Sequence, residues 1–218
     1  MSAYRRHWYN IGLFIGIGVV VFVAIGWQSL EVLQRVLLLN FAALLFHQFE
    51  EYGWPGGEPA IMNKVLQPSL TPDRYPLNQN SAMVINVVVA YPFYMIPVFF
   101  PTVIWLSLAP ILFGMLQVVV HGVVTNAKLK TFYNPGLLAV IAGHVPLGMY
   151  YVYYIQSKDL ATMRDWVFGV MYLMAFIGLF MRTLTYVWLA KSDSPYVFDD
   201  VEMKRFNVDA KLKRIAGR

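Results

Sequence analysis

Residues 81–126 read SAMVINVVVAYPFYMIPVFFPTVIWLSLAPILFGMLQVVVHGVVTN, 46 residues with no Asp, Glu, Lys or Arg. A bilayer core about 30 Å thick takes about 20 apolar residues per helix. The run is too long for one span and suits two. Pro92, Pro97 and Pro101 mark the break, because proline lacks a backbone donor and clashes with the preceding helical turn. The pattern predicts spans at 82–98 and 102–126. Working outward, further apolar stretches predict spans at 11–27, 31–52, 136–156 and 166–190. The expected fold is all-α, a polytopic transmembrane helix bundle of about six spans occupying 1–190. A charged tail, 191–218, follows as a solvated, partly helical extension. Between the second and third spans lies a polar stretch, 53–80, whose middle (PAIMNKVLQ) reads as a short helix on the surface.

Composition agrees. The chain is 58% hydrophobic and 13% charged, against about 45–50% and 25% in soluble domains. Six Trp and 16% aromatics suit a protein with two membrane–water interfaces. The absence of cysteine excludes disulfides, zinc–thiolate sites and thiol nucleophiles. Arg5 and Arg6 precede an apolar stretch with no small-residue cleavage site after it, so this first span is expected to stay. No Walker pattern, phosphate-binding glycine loop, GxSxG elbow or Asp-rich diphosphate motif occurs. Gly12 and Gly16 form a GxxxG pattern that marks a helix-packing face.

The net charge of +5 is carried by loops and tail rather than by a nucleic-acid-binding face. The expected partner is the lipid bilayer, with no nucleic acid. With six spans, thirteen basic residues fall on the side of the termini and only Lys158 and Arg164 on the other. The positive-inside rule then puts the N- and C-termini in the cytoplasm.

Polar chemistry gathers at the inner ends of the spans. His47, Glu50 and Glu51 form HQFEE; residues three and four apart share a helix face, so His47 looks the same way as both carboxylates. Asn86 in span 3 and His121 in span 4 fall at the same depth as His47, roughly 7–8 Å below the inner boundary. Gln117 lies one turn deeper on the face of His121. His144 in span 5 is deeper still, roughly 12 Å, with Pro146 beside it. Tyr133-Asn134-Pro135-Gly136 reads as a helix start, and it could aim the Tyr133 hydroxyl at the site. His7 sits outside the membrane and is solvated. The 53–80 stretch, with Trp54, Ile61, Met62 and Leu66, is expected to cover the mouth of the site.

HQFEE, the later His121, and Tyr133, Pro135 and Gly136 together resemble the HXXEE-motif membrane proteins over roughly residues 30–150. The family is known by its motif more than by an established activity, so the resemblance implies a fold and a site rather than a reaction. A fainter similarity, to the sterol-isomerase type of membrane protein, lies in having His and Glu on a helix beside a lipid pocket.

The residues themselves point to a metal-dependent membrane enzyme, a hydrolase or oxidase acting on a lipid-like substrate. Imidazole and carboxylate suit a divalent ion, zinc or iron. The expected ligands are His47, Glu50, His121 and His144. Glu51 is then the base for a metal-activated water, with Asn86 and Tyr133 as catalytic partners. Two other readings use the same residues. In one, a metal-free isomerase employs Glu50 or Glu51 as a general acid or base. In the other, the chain is a transporter or a helical subunit of a membrane complex. A homo-oligomer is compatible with each.

Overall fold

The computed structural model describes residues 2–217 and is all-helical, with 76% helix and no strand among them. Arg218, counted above with the basic tail, lies outside the described residues. Eight helices follow one another: α1 (Ala3–Ile25), α2 (Val32–Tyr52), α3 (58–66), α4 (Gln79–Phe99), α5 (Ile104–Leu129), α6 (Leu137–Ser157), α7 (Met163–Trp188) and α8 (200–216). All but α3 and α8 are long and apolar enough to cross a membrane, which makes six spans. The break between α4 and α5 falls just after Pro97, at 100–103.

Lipid tails are as apolar as leucine, so helices in a bilayer associate by close packing at small residues. The Gly12–Gly16 face is used in this way within the chain. Added Cβ atoms there would come within 2.9 Å of the Tyr91 hydroxyl and 3.0 Å of the Phe46 ring. Gly169 of α7 lies against Leu108 of α5, where a Cβ would approach to 2.8 Å. Aromatic packing fills the middle of the bundle, with Phe93 of α4 and Phe176 of α7 stacked at 3.8 Å between centroids.

The 58–66 helix forms, but not on the surface. Ala60 and Ile61 are fully buried, packed with Trp8, Tyr9 and Tyr52. The tail covers them. Phe198, Met203 and Val208 join the same cluster, the Arg205 guanidinium donates to the Tyr52 carbonyl, and Arg6 pairs with Asp199 at 3.0 Å. The tail is therefore a cap docked on one end of the bundle, not a solvated extension. Exposed ion pairs contribute at most about 1 kcal/mol each, so the buried side chains fasten it. Both termini consequently lie at this end, the end that carries HQFEE.

Candidate metal centre

Three side chains from two spans converge beneath this cap. His47 and Glu51 are one helical turn apart on α2, and His121 comes from α5. His47 Nε2 lies 3.3 Å from Glu51 Oε1, and His121 Nε2 lies 3.4 Å from the same oxygen. One ligand atom from each falls within 4.8 Å of the others, and the group could hold a metal ion. All three residues are buried, His121 to 2% exposure and Glu51 to 9%. The two imidazoles meet edge to face at 4.9 Å between centroids.

The other nitrogen of each imidazole is committed. His47 Nδ1 lies 3.0 Å from the Gly136 carbonyl, which can only accept, so Nδ1 carries the hydrogen. His121 Nδ1 lies 2.7 Å from Asn134 Oδ1. The Asn134 amide cannot be reversed, because its Nδ2 donates to the His121 carbonyl at 2.7 Å and to Asn126 Oδ1 at 2.8 Å. His121 therefore donates from Nδ1 as well. Both Nε2 atoms then present lone pairs to the Glu51 carboxylate, unless each gains a second proton. Fixing the tautomer through the remote nitrogen is what metal-binding histidines require.

Asn134 and Gly136 belong to the Tyr-Asn-Pro-Gly turn, which thus supports the site as well as starting α6. Gly136 has φ +100°, and a Cβ there would lie 2.7 Å from Cε1 of both His47 and His121. The turn was legible as a motif, but its hold on the two imidazoles was not.

Several expected site residues have other employment. Glu50 does not join the triad. Its Oε1 accepts from the Tyr133 hydroxyl at 2.7 Å and from the Leu138 amide at 3.1 Å, and its Oε2 from the Ala139 amide at 2.9 Å. Amides in the first turn of a helix lack intrahelical partners, so Glu50 caps α6 from across the bundle. Tyr133 is held at Glu50, away from the triad. Burial, and then the Glu50 carboxylate, push its phenol above the ordinary range, so it stays a donor. His144 also stands outside the converging group. Its Nδ1 pairs with Asn40 Oδ1 at 2.7 Å, its ring lies against Gly114, and its Nε2 is buried without a partner. Asn86 reaches the wall of the adjoining cavity, but its Oδ1 accepts from Gln48 Nε2 at 3.1 Å and its Nδ2 donates to Ala82.

Glu50→Ala is expected to lower stability by about 2 kcal/mol, since it strips a charged acceptor from buried donors. Any metal held by the triad should be retained. Metal analysis beside thermal unfolding checks this, and loss of metal from a folded variant would return Glu50 to the ligand set.

The triad opens into a cavity of about 260 Å³ lined mostly by apolar side chains of α2, α4, α5 and α7. The 53–80 segment closes its near end through Glu58, Met62 and Leu77. Glu58 was not foreseen. It sits in a Pro/Gly-rich stretch that gives no periodic signal, yet it is buried. Burial, and then the nearby Glu51 charge, push its carboxyl up to about 8. The carboxyl faces the cavity, and its burial favours the protonated form. On the bilayer side, α5 and α7 pack together over 104–117 and 163–175 and part toward the triad. Leu116, Val120, Ile177 and Met181 line the cavity, and Leu116 is exposed.

No curated protein and no solved structure matches the chain. The family model described as a protein of unknown function with HXXEE motif matches residues 38–151. That stretch is just over half of the 218 residues and holds His47, Glu51, Glu58, His121, Asn134 and Gly136, but not the α7 residues that line the cavity. The chain belongs to the HXXEE-motif family.

Proposed function

We propose that this protein is a metal-dependent integral-membrane enzyme that acts on the polar end of a lipid-like molecule, by hydrolysis or by oxidation. One observation carries the reading. Two imidazole Nε2 atoms and a carboxylate face one another in a buried pocket, with both remote nitrogens fixed as donors. Such a group is satisfied by a cation. Two His and one carboxylate is the ligand set of a catalytic zinc with an open position and of non-haem iron. His47, Glu51 and His121 would hold the ion, which when bound polarises a carbonyl or activates water. Glu51 is then a ligand rather than the base.

The chain's own groups supply the rest. The Gly136 carbonyl and Asn134 orient the imidazoles. Glu58 presents a carboxyl on the cavity side, and burial, which favours its protonated form, suits it to an acid–base role. The apolar walls exclude water. Pockets that enclose a whole drug-sized ligand run to about 300–1,000 Å³, so a cavity of 260 Å³ takes only the reacting end of a lipid. The remainder would stay in the bilayer, entering past the exposed Leu116 side chain of α5. The basic bias of the capped end argues that it faces the cytoplasm.

A metal-free reading has one observation in its favour. The His–Glu separations of 3.3 and 3.4 Å also fit protonated imidazoles paired with the carboxylate, a proton site for isomerisation. Elemental analysis of the purified chain separates the two. The metal reading expects zinc or iron near one equivalent per chain, removable by chelation and restored on addition. A folded chain that neither copurifies with nor takes up either metal would overturn it.

A further inference from the structure

A second cavity, of about 560 Å³, lies between α1, α2 and α6 and shares no lining residue with the first. Its walls are mostly apolar, and small residues such as Ala42, Ala43 and Ala142 leave the space. It extends along α2 from Arg35 to Phe46, roughly 16 Å at the helical rise per residue. Arg35 is the one charged residue lining it, at the end of the bundle away from the triad. Its Nε donates to the Leu30 carbonyl at 2.9 Å, and its guanidinium lies 4.7 Å from the centre of the Trp27 ring. Among the described residues no carboxylate lies within ion-pair distance of it, and its two terminal nitrogens donate to no protein acceptor. Arginines near the ends of membrane helices reach toward the interface, where the remaining donors of Arg35 are open to a headgroup. Trp27 and Tyr150 flank the same end of the groove, as interfacial aromatics do.

We infer that this groove binds an anionic phospholipid, with its phosphate on Arg35 and one acyl chain lying between α1, α2 and α6. The guanidinium fork matches a phosphate. A soluble anion would be served by the cation alone and leave the long apolar groove behind it unexplained, whereas a lipid fills both. The leaflet is the one opposite the triad. The inference is independent of any metal, because the groove and the metal centre have no residue in common.

The test is native mass spectrometry of the full chain released from mixed phosphatidylcholine–phosphatidylglycerol micelles, reading which lipid stays bound. The wild type should retain phosphatidylglycerol in preference. Arg35→Gln should reduce that preference about fivefold, the contribution of one basic residue at an anionic surface. Ala142→Phe, which fills the groove at an exposed position, should reduce retention of the lipid with Arg35 intact. Arg182→Gln is the control for general charge, since Arg182 is exposed on α7 outside the groove. Equal retention of both lipids by the wild type would overturn the site. So would a preference unchanged in Arg35→Gln, or lowered as much by Arg182→Gln. Displacement of the lipid by inorganic phosphate with Ala142→Phe lacking effect would assign the site to a free anion and also overturn it.

Discussion

Replacing His121 with Ala should lower the affinity for zinc or ferrous ion by well over 100-fold, measured by competition with a chromophoric chelator in detergent. Changing a group that merely orients a metal ligand typically costs about 10–100-fold. His121 is expected to exceed that range because it supplies a ligand atom itself. Its Nε2 is one of three converging atoms, and a two-ligand remnant cannot close around the ion. The cap packs on Tyr52 and α3 rather than on His121, so the bundle should stay folded, as size-exclusion behaviour would report. His144→Ala provides the contrast. That residue is as buried as His121, but Asn40 holds its Nδ1 and it lies outside the triad. Its loss should leave metal affinity within a few-fold. If His121→Ala binds metal as the wild type does, the triad is not a metal site. If His144→Ala loses as much as His121→Ala, the ligand set is wrong.

The contrast also shows which properties local sequence can report. Span number and rough limits depend on bilayer thickness, a constraint from outside the chain, and charge-free length reads it directly. Depth follows from helical rise, so His47 and His121 could be set at one level before any neighbour was known. The choice between Glu50 and Glu51 could not be made that way. They differ by about 100° around α2, and the packing of α6 decides which one meets α5. The Leu138 and Ala139 amides claim Glu50, which leaves Glu51 for the imidazoles. Turn geometry adds a second difficulty. His121 and His144 lie in stretches, 118–125 and 140–144, wound with wider π turns. Such turns often occur at functional sites, and they shift the faces that a 3.6-residue period assigns.

The cap was hidden for a different reason. Phe198, Met203 and Val208 stand singly among charged residues, and an isolated apolar residue is as common on a surface as in a core. Only the site they cover, Tyr52 with α3, gives them meaning. Glu58 shares this history. It became a site residue because the cap and α3 bury it beside Glu51, and neither contact is local in sequence. The tail and the 53–80 segment therefore cover the triad together, the first by holding the second in place.

Gly136→Ala is the sharpest test of how the centre is held. At φ +100° a non-glycine residue carries backbone strain of about 1–3 kcal/mol. The new Cβ would also lie 2.7 Å from Cε1 of each imidazole. Neither ring is free to yield, since His47 is tied to the Gly136 carbonyl itself and His121 to Asn134. The substitution should lower stability by at least about 2 kcal/mol and weaken metal binding more than Asn134→Ala does. Asn134→Ala removes only the acceptor behind His121, so a loss of about 10–100-fold is expected for it. Thermal unfolding of the metal-free chain isolates the backbone effect, and chelator competition on both variants ranks their effects on the site. If Gly136→Ala unfolds like the wild type and binds metal equally well, the turn does not sit between the two imidazoles. If Asn134→Ala alone is silent, His121 is oriented by packing against α6 rather than by its hydrogen bond.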